Sequence, residues 1–165
     1  MQEEISALNL NHTWDVIDPP QNARIVGCKW HYKLKFNSDG TLERHKARLV
    51  AKGFTQTKGI DYEETFAPVA KMTSIRILLS IACNLDWPLF QLDVKNAFLQ
   101  GDLDEDIYMS LPLGHPLEGY GKVCHLKKVI YGLKQSPRAW YFKLSHALEQ
   151  IGFKKCYTDY SLFVK

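Results

Sequence analysis

The chain has 165 residues, 45% of them hydrophobic and 12% aromatic, with a formal net charge of +3. That much apolar material supports one domain with a sizeable core and excludes a disordered tail. No signal-peptide core and no membrane segment is read, since the longest apolar region, Ile75 to Leu85, is interrupted by Arg76, Ser80 and Asn84.

Met1 to Asn11 is patterned only by Ile5, Leu8 and Leu10 and reads as a short helix or an arm. Trp14 to Asp18 is apolar and is stopped by Pro19 and Pro20, which suits an extended segment against the core. Ile25 to Phe36 then alternates, with Trp30, Tyr32, Leu34 and Phe36 on one side and Lys29, His31, Lys33 and Lys35 on the other. Asn37 to Gly40 supplies turn chemistry, so Thr41 to Phe54 is expected to return as the partner strand of a hairpin. Arg44, Lys46 and Arg48 recur at period two and share one face of the second strand. Such a face suits a triphosphate or a nucleic-acid backbone; it equally suits an edge strand kept soluble by its charges.

Gly59 to Pro68 reads as a loop. A helix is expected from Thr73 or Ser74 as N-cap to about Asp86, with Ile75, Leu78, Leu79, Ala82 and Leu85 as a core stripe and Pro88 beyond its end. Leu89 to Val94 alternates and predicts a strand that runs into a turn. Its terminal Asp93 could hold a divalent cation beside backbone amides able to meet phosphate oxygens, or could be an ordinary turn aspartate. The acids of Asp102 to Asp106 form a metal cluster, a solvated loop or a helix start.

Ile107 to Leu111 and Val123 to Ile130 read as strands, and Tyr131 to Pro137 turns into a helix capped by Ser136, with Pro137 first and Gly152 at its stop. Trp140, Leu144, Ala147, Leu148 and Ile151 are its expected buried stripe. The basic turn before that helix is a suitable place for a phosphate or a template backbone. Phe153 to Tyr157 and Ser161 to Val164 are the last strand candidates.

Charge is segregated along the chain. Arg24 to Lys58 holds nine basic residues against Asp39 and Glu43, Gly59 to Glu118 holds ten acids against three cations, and Lys122 to Lys155 holds eight basic residues against Glu149. That layout suits a site gripping a polyanion from two sides, or a solvated surface with uneven charge. The four cysteines, Cys28, Cys83, Cys124 and Cys156, match neither a zinc spacing nor a disulfide scaffold, and are expected to be reduced thiols in an intracellular, cytoplasmic protein.

Seven blocks in order resemble the reverse transcriptase of copia-type LTR retrotransposons: Asn11 to Trp14, Lys29-Trp30, Lys46 to Phe54, Gly59 to Tyr62, Thr65 to Val69, Leu92 to Gly101, and Tyr131 to Trp140. The resemblance implies an α+β fold, the right hand of a polymerase with an antiparallel sheet packed against helices. Residues 1–10 would be an N-terminal arm, about 11–87 the fingers and about 88–165 the start of the palm. By position, Asp93 resembles the first palm carboxylate that binds two magnesium ions, with the Val94 carbonyl as a further ligand. Lys95, Asn96 and Ala97 resemble the amide donors to the triphosphate, and Phe98 the aromatic that blocks a ribose 2′-hydroxyl. Lys46 and Arg48 resemble the fingers cations that close on the nucleotide. Gln135, Ser136 and Pro137 resemble the turn that supports nucleotide and template-primer. Implied partners are an RNA or DNA template with its primer, deoxynucleoside triphosphates, and the integrase and ribonuclease H parts of a polyprotein, with no membrane. The family's Tyr-x-Asp-Asp hairpin is absent, because the chain contains no Asp-Asp pair. The fold is therefore expected to be truncated just before that hairpin, with weak or no magnesium binding, leaving an inactive piece of a polymerase, a degenerate fragment that at most binds nucleic acid through its basic hairpin, or an inert remnant that folds poorly.

Overall fold

A computed structural model describes residues 1–165. The chain runs α1 (Gln2–Leu10), β1 (Trp14–Ile17), β2 (Ile25–Val26), β3 (Cys28–Phe36), β4 (Leu42–Ala51), α2 (Met72–Asn84), β5 (Tyr108–Ser110), β6 (Val123–Leu126), α3 (Ser136–Gln150), β7 (Lys154–Lys155) and β8 (Phe163–Val164). It is a mixed helix and sheet protein. One sheet has the order β1-β6-β5-β2, in which only the β2–β5 pair is parallel, and the β3–β4 and β7–β8 hairpins are antiparallel.

The expected long hairpin forms for the local reasons its sequence suggests. Asp39 accepts the amide of Thr41 at 2.9 Å, and Gly40 takes φ +83°, so the turn closes on its own residues. Only Gly27 separates β2 from β3, and its carbonyl accepts the Lys52 amide at 2.7 Å. The segment thus leaves the sheet at Gly27 and becomes one arm of the projecting ribbon. Beneath it, Leu8, Val26, Leu49, Met109, Cys124, Leu126, Ile130 and Leu133 form one buried cluster. Full burial of a side chain such as Met109 or Leu126 contributes about 2 kcal/mol. Residues 2–10 take the helical alternative, and Leu8 is driven into that cluster.

Three expectations are corrected. Leu89–Val94 forms no strand: it is exposed coil, with Phe90 at 87% and Leu92 at 92% exposure. Alternation supplies two faces, but a strand also needs a neighbour for its backbone groups, and none runs beside this segment. The stripe of α2 is not core either. Ile75, Leu78, Leu79 and Leu85 are exposed and only Ala82 is buried. The helix is tethered near its start, where Ser74 donates to Asp159 at 2.6 Å and Lys71 to the Thr158 carbonyl at 3.1 Å. Finally, Ser136 does not cap α3. Its hydroxyl is buried and donates to the Ile130 carbonyl at 2.6 Å, because a carbonyl away from water needs a donor more than a helix start does. In α3 the expected stripe is half-buried at Trp140, Leu144 and Leu148 and exposed at Ala147 and Ile151.

Asp159 also accepts the hydroxyl and amide of Ser161, and these donors with Ser74 hold its carboxyl down at about 2, against 3.8 ordinarily. A carboxyl depressed on folding stabilises fully above its ordinary value and loses that contribution as pH falls through the folded one. The α2 tether is therefore expected to stay intact at mildly acidic pH and release near pH 2. NMR shifts of Ser74 and Ser161 followed down a pH titration check this; release near pH 4 would mean the carboxylate is not so held.

Candidate functional site

The hairpin register stacks positive charge. Lys33 lies opposite Lys46 and Lys35 opposite Arg44, with the His31 ring opposite Arg48. Like charges directly across a strand pair repel, so this face is held together against its own electrostatics. Burial pushes the Lys46 ammonium down, and Arg48, Arg44 and Lys35 push it further. A bound anion relieves that repulsion. Lys33, Lys35, Lys46 and Arg48, with His31 and Tyr131, line a cavity of about 450 Å³.

A second cavity of about 600 Å³ shares Lys46, Arg48 and Tyr131 and adds Asp93, Val94, Lys95, Asn96, Ala97 and Phe98. Two stretches that are far apart in sequence therefore meet. The joint is a stack: the Arg48 guanidinium sits 4.3 Å from the centre of the Tyr131 ring, and Phe98 packs its edge on that ring at 4.9 Å and 77°. Asn96 adopts a left-handed conformation, φ 52°, leading into a short 3-10 turn at Ala97–Gln100. The amides of Lys95, Asn96, Ala97 and Phe98 donate to no other backbone group. Phosphate oxygens are natural acceptors for such a row of donors.

Tyr131 is held in place by backbone docking. Its carbonyl accepts the Ala51 amide at 2.8 Å, and Gly132 and Gly53 lie so close that a Cβ on either would overlap the other segment's backbone. Gln56 completes the latch by accepting the Lys134 amide at 2.9 Å and donating to Gln135 at 3.1 Å. Tyr131, Gln56 and the α1 acids Glu3 and Glu4, which also line the second cavity, escaped the sequence reading. For Tyr131 the one sequence signal is an aromatic beside a glycine within the Tyr131 to Pro137 turn; Gln56, Glu3 and Glu4 carry none.

Other expected site residues lie elsewhere. Gln135 is buried and borders a different cleft, with Glu63, Glu64 and Arg138. Ser136 faces the core, and Pro137 borders an apolar groove with Phe66 and Trp140. Within the run Asp102 to Asp106, Asp102 holds Lys128 and Lys143, which lower its carboxyl, Asp106 meets the His125 ring at 3.1 Å, and Asp104 and Glu105 border the cleft with Gln135. No three His, Cys, Asp or Glu side chains gather anywhere as a metal cluster. Asp93 is exposed and stands as the only acid of its loop, so these residues alone do not fit a pair of divalent ions. All four cysteines are free thiols, and no helix is long and apolar enough to cross a membrane.

Residues 11–165 match a family described as Reverse transcriptase (RNA-dependent DNA polymerase). The chain is 55% identical, over 99% of its length, to the retrovirus-related Pol polyprotein from transposon RE1 of Arabidopsis thaliana. It is 49% identical over 100% of its length to that from transposon TNT 1-94 of Nicotiana tabacum, and 31% identical over 93% to the transposon Ty1-H Gag-Pol polyprotein of Saccharomyces cerevisiae. The chain spans 11%, 12% and 8% of these three polyproteins. No solved structure matches it.

Proposed function

The chain belongs to the reverse transcriptase (RNA-dependent DNA polymerase) family, as a part of a copia-type retrotransposon Pol polyprotein, and we propose that it supplies the fingers and the start of the palm of such a polymerase. The fingers extend over about 11–87 and the palm begins at about 88–165. The observation that carries this is the meeting of Lys46, Arg48, Tyr131 and the Asp93 to Phe98 loop around one cavity. Lys46 and Arg48 take the triphosphate of an incoming deoxynucleotide, the amides of Lys95 to Ala97 take its oxygens, and Phe98, braced by Tyr131, lies beside its sugar. Gln135 supports the nucleotide side and Ser136 and Pro137 the template-primer side, each indirectly, by shaping the turn into α3. Asp93 and the Val94 carbonyl are the chain's own donors toward divalent metal, with magnesium the expected ion; the donor set is completed by carboxylates from the remainder of the polyprotein. The integrase and ribonuclease H parts of that polyprotein are the proposed partners, and the cytoplasm the proposed compartment.

The test is Arg48→Ala in a polymerase completed with the rest of its polyprotein. An arginine meeting a triphosphate in a partly desolvated cavity contributes on the order of 2 kcal/mol or more, so nucleotide kcat/KM should fall about thirtyfold. Template-primer affinity should change far less. The reverse pattern, intact nucleotide use with lost duplex affinity, would make the hairpin a nucleic-acid grip only.

A further inference from the structure

Helix α1 precedes the region matched to the family, yet it borders the cavity built by residues within that region. Glu4 is half-buried on its first turn, and its carboxylate accepts the Leu49 amide at 3.4 Å. That amide belongs to the outer edge of β4, whose inner edge pairs with β3. Two residues further along the same outer edge, the Ala51 amide bonds to the Tyr131 carbonyl. The edge is therefore pinned at two points: Leu49 to α1 and Ala51 to the Tyr131 loop. Arg48, whose guanidinium stacks on Tyr131, adjoins the first of them.

We propose that Glu4 is a positioning residue: it pins β4 at Leu49 and so holds Arg48 over Tyr131, in the orientation that presents the guanidinium to a triphosphate. The second half of that statement rests on the function proposed above; the first half does not. Glu4 itself touches no substrate. Its carboxyl is pushed up by desolvation, while the Leu49 amide, Arg48 and Lys46 pull it down, which fits a group held on this edge by its neighbours rather than by water. An isolated acid on a helix exposed to solvent would show no such surroundings. The acceptor oxygen is what the pin needs, and a full negative charge in a triphosphate cavity opposes the ligand.

Three substitutions separate acceptor from charge. Glu4→Gln keeps the length and an acceptor oxygen but removes the charge, Glu4→Asp keeps the charge but shortens the reach, and Glu4→Ala removes both. The first readout is NMR of the Arg48 side chain in the 165-residue chain, since a guanidinium stacked on an aromatic ring is shifted upfield. Unchanged amide shifts at Met109 and Cys124 in the core report that the fold is retained. The Arg48 shift should persist in Glu4→Gln and collapse toward the free-arginine value in Glu4→Asp and Glu4→Ala. Persistence in Glu4→Ala, or loss in Glu4→Gln with retention in Glu4→Asp, overturns the proposal. The second readout is affinity for inorganic tripolyphosphate, with Arg48→Ala alongside. Loss of one weak pin should reduce affinity about two- to tenfold in Glu4→Ala and Glu4→Asp and not in Glu4→Gln. If Arg48→Ala leaves tripolyphosphate affinity untouched, the triphosphate assignment of the cavity fails, and the side-chain shifts still decide whether Glu4 is the pin. Equal tripolyphosphate affinity in all three Glu4 variants, with Arg48→Ala impaired, removes Glu4 from the site.

Discussion

A completed polymerase carrying Asp93→Asn is expected to extend no measurable primer, with turnover down by at least about a hundredfold. Asparagine has nearly the same size and shape, and Asp93 lies exposed in coil with no side-chain bond to any other residue. Folding should be untouched, so the loss is one of charge. Asp93 is the single carboxylate that the Asp93 to Phe98 loop contributes to a cavity also holding Arg44, Lys46, Arg48 and Lys95. On the function proposed above, no other charged oxygen on that loop would attract a divalent cation, since the Val94 carbonyl is a neutral donor. The measurement is single-turnover primer extension, with urea unfolding of both proteins beside it. Extension at wild-type rate by Asp93→Asn would assign this acid to the turn and not to the chemistry.

Gly132→Val is expected to be the most damaging single change to the fold. Gly132 sits at φ +95°, where a side chain is strained, and a Cβ there would overlap the Ala51 carbonyl and the Val50 side chain. The Ala51 carbonyl cannot retreat, because it belongs to β4 and the adjoining Tyr131 carbonyl is bonded to the Ala51 amide. Strain and overlap together should cost about 3 kcal/mol or more, and a β-branched side chain more than alanine. Gly40→Ala provides the comparison: its φ is +83° but nothing lies within 4 Å, so it carries only the conformational penalty of about 1 kcal/mol. Urea unfolding midpoints of Gly132→Ala, Gly132→Val and Gly40→Ala at low protein concentration separate the two contributions. Equal losses in all three would mean that the hairpin and the Tyr131 loop are not docked as closely as described. A related outcome is that any surviving Gly132 variant should lose the Arg48–Tyr131 stack, since the ring rides on the displaced loop.

Exposed apolar surface has its own consequence. The apolar residues Ile75, Leu78, Leu79 and Leu85 of α2 are exposed, and so are Leu89, Phe90 and Leu92 in the coil that follows, which leaves much apolar side-chain surface on this part of the chain. The same segment carries Asp93 at its end, so the loop that brings the acid to the cavity is anchored on the far side only by the Ala97–Gln100 turn and the buried Leu99.

The sequence by itself determined those features whose causes are local. Period-two alternation, the Asn37 to Gly40 turn and the spacing of Arg44, Lys46 and Arg48 sufficed for the long hairpin and its cationic face, because turn chemistry and strand period are written in neighbouring residues. Pro137 and Gly152 likewise marked the ends of α3 to within about a residue. The ordered blocks from Asn11 to Trp140 were enough for the family. The tertiary structure alone decided what depends on a partner. Leu89 to Val94 has the alternation of a strand but no strand beside it, and α2 has the stripe of a core helix without a surface to cover it. Ser136 stands at a helix start, yet the buried Ile130 carbonyl claims its hydroxyl. Tyr131 reaches Arg48 and Phe98 only because two glycines allow the backbones of distant segments to touch, and Gln135, four residues later, is turned into another cleft. No pattern along one segment encodes such contacts, because each is a relation between two surfaces that meet only after the chain has folded.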